Sequence, residues 1–292
     1  MSLPVISIVL CSTFMHAGWN LLARYGRSEG TFYEKMLIAI TLMGLAPATW
    51  SEVLTRSLSL KAWACVIGSG CCAGLYLYFL ARAFQSSDFT VVYPVARSLP
   101  VIFVAIGDVL RGRYLTWIGW LGILLVAGGC TTVPLRSLRD FSPRKYLNLS
   151  SLWMLLAALG TVGYTLLDKV AAEAVKPGLD SAIRYGYFYF AISLVPYVVL
   201  LRVFKIADQR PDPSAWRFAV PAALLSFGAY GLILWAYQLN PYASYIVAFR
   251  QFSIVIGATM AFIIYKEHGV AVRLAGASLI TAGLVSIALW GK

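Results

Sequence analysis

The hydrophobic residues of this chain arrive in long unbroken blocks, such as Leu3 to Ala23 and Tyr242 to Tyr265. About 20 consecutive apolar residues in a helix cross the hydrocarbon of a bilayer. Backbone polar groups in lipid must be satisfied within the segment, so such blocks fold as helices. Composition agrees: 60% of residues are hydrophobic and 12% charged, against about 25% charged in an ordinary soluble domain. The expected fold is an all-α integral membrane protein.

Apolar runs read against polar breaks place ten spans near 3–23, 35–51, 61–84, 89–110, 115–133, 149–170, 182–204, 215–238, 243–265 and 270–290. The second is the shortest and contains Pro47. The longest polar interruption, Pro134 to Leu147, falls near mid-chain and divides it into residues 1–133, a linker at 134–148 and residues 149–292. A shift of 153 residues lays Ala62-Trp63 on Ala215-Trp216, Ala83 on Ala236, Gln85 on Gln238 and Arg97 on Arg250. The arginine match is the informative one, because arginine inside a span is rare. Five spans per half give the halves opposite orientation, an inverted repeat whose interface near mid-membrane is the expected binding place.

Net charge is +12, which in a soluble chain would raise the question of nucleic acid. Here the basic residues cluster between apolar blocks, as at Arg136, Arg139, Arg144 and Lys145, which marks cytoplasmic loops. No nucleic-acid partner is expected. With both termini outside, about fourteen basic residues fall on cytoplasmic connections, against about eight for the reverse, so the positive-inside rule favours that orientation. The first block has no basic residue ahead of it and no small-residue cleavage site after it, and reads as a retained helix. The five cysteines lie inside apolar blocks without CxxC spacing, as packing residues do. Glycines at 70, 74, 119, 122, 128, 129, 276 and 283 permit close helix approach, favouring packing inside one bundle over a dimer face. Monomer and homodimer both stay open.

His16, Ala17, Gly18, Trp19 and Asn20 late in the first span, Ala83 to Pro94 across the third and fourth, Lys266-Glu267 closing the ninth and the glycine-dotted fifth and tenth resemble the drug/metabolite transporter superfamily, and within it the EamA-type ten-helix transporters. The resemblance covers the whole chain through degenerate motifs. It implies tandem five-helix repeats in a bacterial inner membrane and transport of a small metabolite, with no cofactor. The aromatic wealth is similar to the branch that exports aromatic amino acids.

Ionisable groups inside a membrane are functional candidates by default. Arg97 and Arg250 lie well inside their spans, where a planar guanidinium either meets a substrate carboxylate or caps backbone carbonyls freed by breaks such as Pro94 and Pro100. His16 shares a helix face with Ser12, Trp19 and Asn20. That face suits a cavity wall, and histidine also takes up protons near neutral pH; a neutral imidazole bonded between helices is the alternative. Tyr78, Tyr93, Tyr164 and Tyr230 lie too deep for an interfacial belt, either to stack on a planar substrate or to pack. Asp88, Asp108 and Asp168 fall near span ends, Asp168 beside Lys169. Exporters of lipophilic cations in this superfamily rely on an intramembrane carboxylate, so the resemblance disfavours a cation substrate.

An intramembrane enzyme needs HExxH or GxSxG, and the chain has neither. Channels favour rings of like charge or filter loops, also missing. The expected substrate is a neutral, partly planar zwitterion such as an aromatic or large apolar amino acid; the alternative is another metabolite class, such as a sugar, a nucleoside or a drug-like compound.

Overall fold

The computed structural model describes residues 1–26, 31–86, 89–135, 149–204, 215–265 and 270–291. All regular structure among them is helical. The elements are α1 (Leu3–Gly26), α2 (Phe32–Thr55), α3 (Leu60–Ser86), α4 (Phe89–Leu110), α5 (Trp117–Thr132), α6 (Leu149–Ala172), α7 (Leu179–Val203), α8 (Trp216–Leu239), α9 (Ala243–Arg250), α10 (Phe252–Tyr265) and α11 (Val270–Trp290). Seven of them are long and apolar enough to cross a membrane. Exposed leucine, valine and tryptophan side chains, such as Leu42, Leu124, Val195 and Leu289, suit a lipid-facing exterior.

Two features depart from the sequence expectation. The second span is longer than expected, 24 residues with Pro47 inside the helix. Its far end is fixed by Arg56, whose left-handed backbone (φ 44°) returns its N–H to the Glu52 carbonyl, while the Glu52 carboxylate accepts from Ser57 and the Leu58 amide. The ninth span is not one helix. It breaks at Gln251, where Ile254 bonds back three residues to the Gln251 carbonyl and the Ser253 hydroxyl takes the Arg250 carbonyl. A serine that occupies a ladder carbonyl bends its helix, and the tighter turn completes the break.

The main interhelical contacts come in pairs. α3 packs on α6 as α8 packs on α1; α3 meets α7 as α8 meets α2; α4 meets α6 as α9 and α10 meet α1. α2 with α7, and α5 with α11, join each helix to its counterpart. Exchanging the first five spans for the last five preserves these pairings, while the contact of α7 with α8 has no counterpart of similar extent between α2 and α3.

Glycine sets the closest of these contacts. A Cβ on Gly129 would lie 2.6 Å from the Gly276 carbonyl oxygen, and one on Gly283 would lie 2.6 Å from that of Gly122. α5 and α11 therefore touch backbone to backbone, with the small residues inside the bundle. Gly74 does the same for α3 against the Ser193 carbonyl of α7.

Candidate functional site

Where the halves face each other, α1, α2, α3, α4, α6, α7, α8 and α9 enclose a polar and aromatic chamber of two adjoining lobes. One lobe is lined by His16, Asn20, Tyr33, Arg97, Arg250 and Gln251 among others; the second by Trp19, Tyr189, Phe190, Ser226 and Tyr230; and both share His16, Tyr76, Tyr164 and Arg250. Each lobe has a cavity volume of ≈ 50 Å³, space for a few waters and well below the 300 Å³ or so typical of a ligand site. Side chains must part before a ligand larger than a few waters can enter.

His16 is the hub. Its Nδ1 accepts from Trp19 Nε1 at 3.0 Å, and its Nε2 lies 3.2 Å from Arg97 Nη2. Both partners are donors only. A neutral imidazole has one acceptor to give and an imidazolium has none, so one of the two contacts is strained in any protonation state. An incoming carboxylate that draws off Arg97 relieves that strain. Asn20 is pinned by its own amide to the His16 carbonyl at 2.8 Å.

Arg250 ends α9 at the helix break, with its Cζ 5.6 Å from the Tyr230 ring centroid. Among the described residues it forms no ion pair. A cation held over an aromatic face, without a protein anion, is suited to an anionic ligand. Around it, Tyr189 stacks on Tyr230 at 4.5 Å, and Tyr164 meets Tyr76, Tyr189 and Tyr230 edge-on at 5.8 to 6.0 Å.

The chamber thus gathers His16, Trp19, Asn20, Arg97, Tyr164, Tyr230 and Arg250 from positions far apart in the sequence. Tyr78 is not among its lining residues: it is buried against Phe79 and Phe204. Tyr76 faces the chamber instead, because residues two apart on a helix point about 200° apart. The side chain of Tyr93 lies outside the described residues, as do Asp88, Lys266, Glu267 and the basic cluster from Arg136 to Lys145. Tyr33, Tyr189 and Gln251 also line the chamber, and no sequence signal separated them from packing residues.

Asp168 departs from its expected role beside Lys169. It is fully buried and accepts from the hydroxyls of Ser69, Tyr230 and, at 2.8 Å, Tyr185. Lys169 turns away, donating to the carbonyls of Tyr237 and Asn240 at 2.7 Å each. Neighbours in sequence on a helix do not face each other.

One end of the chamber is sealed by ion pairs between the halves. At the ends of α4 and α6, Arg111 meets Glu173 at 2.7 Å, and Glu173 also takes Lys169 at 3.2 Å. Asp108 caps α9 through the Ser244 amide at 2.8 Å. At the same end, Arg184 of α7 bonds Ser51 and Ser57 of the α2 end and pairs with Glu52 at 3.5 Å. Burial works to raise the Glu173 carboxyl, but Lys169 and Arg111 outweigh it and hold it below the usual carboxylate value. At the opposite end the pair between halves, Arg202 with Glu34, has an exposed arginine.

A larger cavity, ≈ 450 Å³, lies between α2, α7 and α8. Its wall is mainly apolar, and its Arg184, Asp180 and Ser51 are bonded to one another, so the chemistry belongs to the chamber.

These features define a multi-pass helical membrane protein with a cationic, aromatic chamber between its first five and last five spans. Residues 3–133 match the model of the EamA-like transporter family. Among curated proteins none matches. A crystal structure of a protein at 16% identity shares the fold, with a TM-score of 0.71 over 99% of this chain and 98% of that one.

Proposed function

We propose that the protein is an EamA-type transporter that moves a carboxylate-bearing small metabolite by alternating access at the interface of two inverted repeats, residues 1–133 and 149–292. The observation that carries this is Arg250: a cation in the chamber wall with no ion pair among the described residues, set over an aromatic ring. The substrate carboxylate completes its coordination, with Arg97 as the second donor. The ring of Trp19, Tyr76, Tyr164, Tyr189 and Tyr230 receives the apolar part, which favours aromatic or large apolar amino acids over sugars and nucleosides. Export through a bacterial inner membrane, with the termini outside, is the associated reading.

In this arrangement the closed conformation is held by Arg111–Glu173 and Arg184–Glu52 at one end, while the chamber extends towards Asn20, Tyr33 and Leu80 at the other. Transport exchanges which end is sealed. Counterflow in liposomes with radiolabelled amino acids, sugars and nucleosides tests the substrate class. Saturable phenylalanine or tryptophan flux above empty vesicles is expected; flux of sugars alone would overturn it.

A further inference from the structure

Asp168 lies in the last turn or so of its span, yet it is fully buried in the bundle, and the transport reading above gives it no task. It has no lysine or arginine within 4.0 Å among the described residues. Three hydroxyls surround it in place of a cation. A carboxylate in such a place is costly to keep charged, and the membrane's usual answers are a paired cation or a bound proton. The neighbouring lysine is spent on backbone carbonyls of α8 and on Glu173.

The position adds to this. One of the three hydroxyls belongs to Tyr230, whose ring lines the chamber and lies under Arg250. On its other side, Asp168 borders a small separate cavity with Val175, Ala182, Tyr185 and Gln238, towards the end of the bundle where α6 finishes. The carboxylate therefore stands between the Tyr230 wall of the chamber and this small cavity of ≈ 10 Å³.

We propose that Asp168 is a proton-binding site coupled to occupancy of the chamber, with the Tyr230 phenol as the connection; the coupling half of this rests on the carboxylate substrate proposed above. The transfer balances without further reactants. A hydronium in the chamber gives its proton to Tyr230 Oη as that phenol passes its own proton to Asp168 Oδ2. The hydronium becomes water, Tyr230 stays neutral and Asp168 becomes a neutral acid. Arg250 is the chamber charge set over the Tyr230 ring whose hydroxyl bonds Asp168. A substrate carboxylate beside Arg250 offsets that positive field, so substrate and proton bind together and each strengthens the other by the same factor.

The other groups facing Asp168 do not replace it. From α3 come Ser69, Cys65 and Cys72; from α7, Tyr185 and Tyr189; from α8, Tyr230 and Tyr237; from α9, Arg250; and from α6 itself, Lys169, turned away. None of these is a carboxylic acid, and His16 is bracketed by two donors on α1 and α4.

Infrared difference spectroscopy of the purified protein in lipid, titrated between about pH 5 and pH 8, tests the site without any substrate. A protonated-carboxyl band that titrates in the wild type and is missing in Asp168→Asn is expected; no titrating band, or one that survives in Asp168→Asn, overturns the proposal. Tyr230→Phe and Arg250→Gln keep Asp168 and should each displace the band's midpoint. An unmoved midpoint in both overturns the link to the chamber, and does so even should Asp168→Asn fail to fold. Phenylalanine added at fixed pH should raise the band and draw protons from a weakly buffered medium. Binding without proton uptake overturns the coupling. Absence of phenylalanine binding counts against the substrate reading, while the titration and the Arg250→Gln midpoint still decide for or against Asp168.

Discussion

Replacing Arg250 by glutamine should damage substrate binding more than the same change at Arg97. Both guanidinium groups face the chamber, but Arg97 already touches His16 at 3.2 Å, whereas Arg250 has only the Tyr230 ring beneath it. A carboxylate reaching Arg97 displaces an existing contact and gains the difference; one reaching Arg250 displaces no ion pair among the described residues. Hydrogen bonds to charged groups contribute roughly 1.5 to 3 kcal/mol, so Arg250→Gln should weaken binding about 10- to 150-fold and Arg97→Gln should sit at or below the lower end of that range. Arg250→Lys retains a point charge but loses the fork, and should fall between wild type and Gln. Removing an uncompensated charge should leave thermal stability unchanged or raised, which separates a binding defect from a folding one. Titration calorimetry with phenylalanine and with phenylalanine amide is the assay: the wild type should prefer the acid, and Arg250→Gln should lose that preference. Equal affinity of Arg250→Gln and wild type for the acid, or a larger loss in Arg97→Gln, would refute the reasoning.

Four other outcomes follow from the geometry. A Cβ at Gly129 meets a backbone carbonyl and Ile280, while one at Gly128 has open space; Gly129→Ala should therefore lose about 1 to 3 kcal/mol of stability in detergent melting curves and Gly128→Ala should lose none. Tyr76→Ala should reduce selectivity for aromatic over aliphatic amino acids in counterflow, and Tyr78→Ala should leave it intact. The Glu173 pairs contribute above the ordinary carboxylate value of about 4.3 and are lost only as pH falls through the lowered value of the folded protein, so reagent entry past the sealed end should stay low across neutral pH and rise in Glu173→Gln at every pH. A cysteine at Ser137 in an otherwise cysteine-free chain should resist an impermeant reagent on intact cells; strong labelling from outside would invert the orientation.

The residues that the sequence made conspicuous were those whose chemistry is out of place in lipid. Arg97 and Arg250 stood out because a guanidinium in a span needs a reason, and both face the chamber. Tyrosine carries no such signal. It belongs equally in a core, an interface or a cavity, so nothing ranked Tyr76 above Tyr78 until the rotation of α3 was fixed by Gly70 and Gly74 against α7. Asp168 did not stand out because it lies near a span end beside a lysine, and only the helix rotation shows that the two face different neighbours. The break at Gln251 has no proline or glycine beside it; it depends on a serine back-bond and on a 3₁₀ step, neither of which periodicity detects. The span pattern was legible throughout because lipid imposes it on every residue at once.

The glycine seam between α5 and α11 bears on how such a bundle can move. Contacts made through longer side chains can change rotamer and slide, whereas here, as at Gly74 against α7, two backbones lie against each other. Separating them would open a void in lipid, and compressing them is sterically forbidden. In the alternating access proposed above, such a seam serves as a fulcrum: rocking about it, rather than parting along it, widens one mouth of the chamber as it narrows the other.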